Sequence, residues 1–484
     1  GSDSGAKARP GAGMQGPAGG SGGSAGSSRV LVRGSVKSAG ASRWCGQTNL
    51  CVCGAMTLTL ITVAEVSLGV GIYGASVYWA VHGIKRKCEL VSNVTWENPG
   101  GVSPGMSYCI RRFVAMSKAG EDAYELIDPP LADGVRRQTL TGVSVHWKAS
   151  FNGSDPELSS WFMSYGHLPA GKSRFEAAEW LIPDGYRQAN GEARVVFIHG
   201  GAAQEDALGR HYAGLTMRLA RWTGMPVLAF NYPTEPVAPW PANIRGVFQW
   251  LAYARQNGPE GRGSAGSIIL FGDSEGTLVA MQTALVLLDS QMLELFGFGK
   301  ALRNVRLWLA GIVLSSPVLD VACETPSFAW NCFNEEKDTG DPDTGNCSTT
   351  PTLEDRIADC RSSYFSYFYG FPSVRMVKNL SDVNVQWAER REFFDNVLVN
   401  PLRADLSRLP PLLLLGATRD YFYSDAVELG RLACIAGVEV QNFNVLGSFH
   451  DFLEYSEGCG GPEPMEEALQ AFRLIRSFAH SSVA

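Results

Sequence analysis

The sequence predicts an α/β fold, a mostly parallel central sheet with helices on both faces. Two observations carry that expectation. Largely apolar runs of strand length recur at 194–198, 227–230, 267–271, 311–314 and 412–415, and 438–445 reads as the last strand. Helical patterns separate them, at 208–223, 243–256, 275–289, 424–436 and 466–479, the fourth closed by Gly437. A strand that is apolar throughout has both faces covered, which is the mark of parallel strands joined by crossover helices.

The chain has 484 residues, long enough to prompt a search for appended segments. Hydrophobic residues make up 45% and charged residues 18%, a globular balance. The formal net charge of -7 offers no electrostatic reason for a nucleic-acid partner. Residues 1–48 are rich in Gly, Ser and Ala, too poor in large apolar groups to offset chain entropy, and are expected to be a disordered tail.

Residues 55–81 then run for 27 residues with Glu65 as the single charge. That length and composition predict one transmembrane helix. Tyr73, Tyr78 and Trp79 lie toward one end, where aromatic rings favour the interface, and Lys85, Arg86 and Lys87 follow as a stop. Arg33, Lys37 and Arg43 precede the span, so basic residues do not settle its orientation. Cysteines bear on it instead. Eight follow the span, and Cys323, Cys332, Cys347 and Cys360 crowd into one irregular stretch where disulfide staples are useful in an oxidising lumen. Glycosylation sequons stand at Asn93, Asn152, Asn346 and Asn379. A lumenal or extracellular globular domain is the expectation.

Residues 83–190 show no clean repeat and read as an N-terminal linker with cap elements. Residues 191–484 hold the αβ pattern, interrupted by an insertion at about 318–400 that contains the aromatic run 363–371.

In open parallel sheets, ligands bind beyond the carboxyl ends of the strands. The segment after 267–271 reads Gly272-Asp273-Ser274-Glu275-Gly276, a G-x-S-x-G between strand and helix. Such a turn exposes a serine hydroxyl, and its small residues let backbones approach. After 194–198 comes His199-Gly200-Gly201-Ala202, whose N–H groups, with that of Glu275, suit a developing oxyanion. Asp420 follows the strand at 412–415, placed to orient an imidazole. Asp425 is its rival, but it falls where a helix N-cap is wanted. His450 follows the last strand; of seven histidines it alone comes after Asp420 at a strand end, His480 lying within the terminal helix.

The set of His199-Gly200-Gly201, Gly272 to Gly276, Ser316-Pro317, Asp420 and Phe449-His450-Asp451-Phe452 resembles the hormone-sensitive lipase branch of the α/β-hydrolases, the fold-3 group. Asn231-Tyr232-Pro233 through Ala242 is similar to that group's tyrosine- and proline-rich turn, though without the usual Arg after the Tyr. A single membrane helix before such a domain resembles the arylacetamide deacetylase subgroup. The resemblance spans roughly 190–484. It implies an α/β-hydrolase fold with a cap, and a serine hydrolase cleaving a lipophilic carboxylic ester. Ser274 is then nucleophile, His450 base, Asp420 its orienting acid, and Gly200, Gly201 and Glu275 the oxyanion donors, with His199, Gly272 and Gly276 as motif support. An endoplasmic reticulum or secretory-pathway location follows from the subgroup. Ala202 stands where a third glycine is common, and Glu275 and Thr277 where Ala and Gly are commoner. A metal is not expected, there being no H-E-x-x-H and no paired C-x-x-C, and no dinucleotide cofactor either. An amidase and a non-catalytic ligand-binding protein on the same scaffold remain alternatives.

Overall fold

A computed structural model describes residues 93–96, 101–119, 123–140, 178–201 save 188 and 190, 211–233, 240–331 and 391–484, with isolated positions between 353 and 388. The tail at 1–48 and the apolar segment 55–81 lie outside the described residues. No described helix is long and apolar enough to cross a membrane.

Among the described residues, nine strands form one sheet in the order β1-β9-β8-β7-β6-β4-β5-β3-β2. They are β1 (Asn93–Trp96), β2 (Val135–Thr139), β3 (Ala178–Pro183), β4 (Glu192–Ile198), β5 (Val227–Phe230), β6 (Ala265–Asp273), β7 (Leu309–Ser315), β8 (Leu412–Ala417) and β9 (Val440–Val445). The seven strands from β1 to β5 in that order pair in parallel. β3 runs antiparallel to β5, and β2 antiparallel to β3. Helices α1 (Pro104–Ala119), α2 (Ala213–Thr223), α3 (Ala242–Gln256), α4 (Gly276–Leu288), α5 (Tyr423–Ile435) and α6 (Glu466–Val483) cover it, with shorter helical turns between.

The leucine run of β8 shows why these strands are apolar without alternation. Leu412 and Leu414 enter the core layer that holds Trp250, Leu278 and Met281. Leu413 and Leu415 enter the opposite layer, with Leu215, Ile475 and Phe478. Successive side chains point to opposite faces, and here both faces are interior.

The segment read as linker and cap pieces turns out to supply three strands, two of them forming one sheet edge. Every residue of β3 is buried, and Trp180 is fully so. In β2 only Val135 is buried; its exposed Arg136 and half-exposed Arg137 disguise it. Arg137 forms a bidentate pair with Glu179, at 2.8 and 3.0 Å. The helix expected at 208–223 begins at Ala213 in the structure.

Disulfides join Cys109 to Cys459 and Cys323 to Cys360, and Cys434 is disulfide-bonded as well. The second closes the start of the insertion, as its crowded cysteines suggested; Cys332 and Cys347 lie outside the described residues. The first was not foreseen. It ties α1 to the loop after β9 across 350 residues of chain. Phe113 of α1 packs edge-on against Phe449 and Tyr455 there, at 4.9 and 5.0 Å. Of the aromatic run 363–371, Tyr364 is described, and it is buried in the core.

Candidate active site

β6 ends at Asp273 and α4 begins at Gly276, leaving Ser274 at the turn between them with a left-handed backbone at φ 52. A non-glycine residue rarely holds such a φ, and it persists only where the surroundings over-determine it. The Ser274 N–H donates to the Ser315 carbonyl of β7 at 3.0 Å. The Thr277 hydroxyl donates back to the Ser274 carbonyl at 2.6 Å and accepts from the Val318 N–H at 2.9 Å, lacing the turn to the loop after β7. That is a physical use for the departure at Thr277. Gly276 presses against β4: a Cβ there would stand 2.2 Å from the Ile198 carbonyl oxygen.

The three residues read as a catalytic set converge. Ser274 Oγ lies 2.8 Å from His450 Nε2. His450 Nδ1 lies 2.7 Å from Asp420 Oδ2. Asp420 is buried and holds its other oxygen against the Phe422 N–H at 3.0 Å. An ionised carboxylate only accepts, so Nδ1 carries the proton and Nε2 is left to accept from the serine hydroxyl. The two supporting loops are cross-bonded. Arg419 N–H donates to the Ser448 carbonyl at 2.9 Å, and Gly447 N–H to the Thr418 hydroxyl at 2.9 Å. Asn331 Nδ2 donates to the carbonyls of Thr418 and Asp420, at 2.9 and 2.6 Å.

Asp425 is not the N-cap that its position suggested. It lies inside the first turn of α5, fully buried, and Phe422 occupies the cap position. Its carboxylate accepts from the N–H groups of Leu319 and Asp320, at 2.7 and 2.8 Å, and from the Thr325 hydroxyl. It therefore anchors the loop after β7. Burial and then the neighbouring Asp320 push its carboxyl up.

The glycine turn after β4 needs a correction. The Gly200 N–H, expected to face an oxyanion, donates to the Tyr212 hydroxyl at 3.1 Å. Tyr212 lies just before α2, and nothing in the local sequence marks it as that acceptor. Gly200 is required for another reason: a Cβ on it would stand 2.6 Å from the Ser274 Cβ. Gly201 holds a left-handed backbone at φ 101, and Glu275 sits at the head of α4. Ala202 lies outside the described residues. His199 is buried and holds the turn. Its Nδ1 donates to the Gly200 carbonyl at 2.7 Å, and its ring stacks on Tyr232 at 4.3 Å. Burial pulls its pKa down to about 4, which keeps it neutral at physiological pH. Tyr232, from the tyrosine- and proline-rich turn, donates its hydroxyl to the His199 carbonyl at 2.5 Å.

A serine on a strand-to-helix turn, with histidine and aspartate brought to it by the next strand ends of a parallel sheet, defines a protein of the α/β-hydrolase class. A family model described as an alpha/beta hydrolase fold matches residues 195–393 and 374–454, more than half of the chain, and the chain belongs to that family. An esterase of Acinetobacter venetianus is 26% identical over 294 residues, which cover 61% of this chain and 77% of that protein. An acetyl-hydrolase of Streptomyces hygroscopicus is 25% identical over 286 residues, 57% of this chain and 74% of that protein. The fold also matches a solved esterase of the bacterial hormone-sensitive lipase family, with a TM-score of 0.50 and 20% identity over 79% of this chain and 99% of that one. A thermostable esterase from Pseudomonas putida matches with a TM-score of 0.50 and 16% identity over 80% and 99%.

Proposed function

We propose that the protein is a serine hydrolase that cleaves carboxylic esters with Ser274 as nucleophile. The observation that carries this is the continuous hydrogen-bonded line Ser274–His450–Asp420, at 2.8 and 2.7 Å. Ser274 Oγ attacks the ester carbonyl as His450 Nε2 takes its proton. Asp420 holds the imidazole and stabilises the imidazolium. The Gly201 and Glu275 N–H groups steady the oxyanion; one such donor is typically worth about 2.7–4 kcal/mol of barrier. The protonated His450 then gives its proton to the departing alkoxide, which leaves as the alcohol. A water, deprotonated by His450, adds to the acyl-enzyme and releases the acid and the Ser274 hydroxyl.

The relatives named esterase and acetyl-hydrolase support an ester rather than an amide substrate, and a short acyl group. The aromatic run 363–371 in the insertion supports a lipophilic one. A fluorophosphonate probe is expected to label Ser274 stoichiometrically, and a p-nitrophenyl ester series to show highest kcat/KM at short acyl chains. Absence of labelling on folded protein leaves a ligand-binding scaffold instead.

Residues 55–81 tether this domain to a membrane, with the catalytic residues on the lumenal side of the endoplasmic reticulum or secretory pathway. The disulfides Cys109–Cys459 and Cys323–Cys360 support that oxidising side. Full chain in microsomes should resist alkaline carbonate extraction and keep its catalytic domain protected from added protease. Digestion without detergent would reverse the orientation, and extraction would remove the tether.

A further inference from the structure

Three carboxyl groups gather behind the histidine. Asp273, the last residue of β6, is fully buried. Asp451 directly follows His450, and Glu454, also buried, lies three residues beyond Asp451. One oxygen from each lies within 4.8 Å of the others. Asp451 Oδ2 also stands 3.4 Å from His450 Nε2, the nitrogen that faces Ser274. Its aim is set by the backbone: Asp451 is left-handed at φ 54, and its N–H donates to the Ser316 hydroxyl at 2.9 Å.

We propose that Asp451 is a positioning residue for His450, a second carboxylate that favours the protonated imidazole and so sets the pH at which hydrolysis fails on the acid side. The proposal rests on His450 acting as the base of the proposed hydrolysis. Asp420 engages Nδ1 alone, whereas Asp451 addresses the nitrogen that gains the proton. At this separation, in surroundings less polar than water, a carboxylate and an imidazolium attract by more than thermal energy.

The groups around the pair agree with that sign. His450 is faced by Asp420 from the end of β8, Ser274 from the turn after β6, and the Phe422 ring at 5.6 Å. Asp451 is faced by Asp273 and Glu454. Burial, then the charges of Glu454, Asp273 and Asp451, push the Tyr212 hydroxyl well up, so it stays neutral. The cluster does not hold three charges cheaply. Asp273 is its deepest member, and burial pushes its pKa up to about 6. The Asp451 side chain is 13% exposed, the least buried of the three, and stands beside His450.

The test is the pH dependence of kcat/KM on a p-nitrophenyl ester for wild type, Asp451→Asn and Asp451→Gly. Both replacements tolerate the left-handed backbone, and the glycine also removes the side chain. Each variant is expected to move the acid limb to lower pH by about one unit, a tenfold change in the proton equilibrium. A limb that stays in place or moves upward in a variant with cooperative thermal unfolding overturns the proposal. Ser274→Ala separates the two levels. If that variant still turns over, the triad reading has failed. If it is dead while the limb of Asp451→Asn is unmoved, only the role of Asp451 has failed.

Discussion

Ser274→Ala is expected to lower kcat on a short p-nitrophenyl ester by roughly 10⁶-fold, because without the hydroxyl no acyl-enzyme forms and the other two residues have nothing to act on. The residual rate comes from the oxyanion donors and substrate positioning, worth about 10³–10⁴ over water. Folding should survive, since Ser274 loses only one oxygen and its turn is held by backbone contacts to Ser315 and by Gly276 against Ile198. Steady-state turnover with thermal unfolding alongside reads both. Turnover within an order of magnitude of wild type, in protein that melts normally, would remove Ser274 from the chemistry.

Asp420→Asn is expected to lower kcat about 10⁴-fold while leaving the architecture intact, an effect on the barrier of about 5.4 kcal/mol. The reason is directional. Phe422 N–H donates to Asp420 Oδ1 at 3.0 Å, so the amide oxygen of an asparagine belongs there and its NH₂ faces His450 Nδ1. A donor facing Nδ1 favours the tautomer with the proton on Nε2. That nitrogen then has no lone pair for the Ser274 hydroxyl. The loss should fall on kcat more than on KM, because a uniformly bound substrate does not sense the tautomer until the proton moves. A kcat within tenfold of wild type would mean that another acceptor orients the ring.

Ser274 and Asp420 each stand just past the carboxyl end of an apolar strand, and that placement made them legible. A strand buried on both faces leaves an unbroken apolar run, and glycine marks where backbones must touch. The oxyanion turn shows where such legibility stops. Two glycines announced the turn, but the Gly200 N–H is taken by Tyr212, a side chain some twelve residues on whose pairing depends on how α2 packs. Asp425 failed in the same way. Its position at a helix start is a local fact, while the N–H groups it binds come from the loop after β7, over 100 residues away.

The edges of the sheet were hidden for a different reason. In β2 the residues Val135 to Thr139 bury only the first side chain, so no alternation survives to be seen. β3 is fully buried but carries Glu179, which the pair with Arg137 makes tolerable there.

By itself, then, the sequence determined the fold class, the parallel strands β4 to β9, and the serine, aspartate and histidine at their carboxyl ends. These depend on local composition and on chain order. Only the tertiary structure decided that Tyr212 takes the Gly200 N–H, that Cys109 meets Cys459, and that Asp451 turns its carboxylate to the same imidazole nitrogen as Ser274. Each of those is a pairing between groups whose separation in the chain says nothing about their separation in space. Burial, which makes an unpaired polar group costly, selects the partner only once the layers have packed.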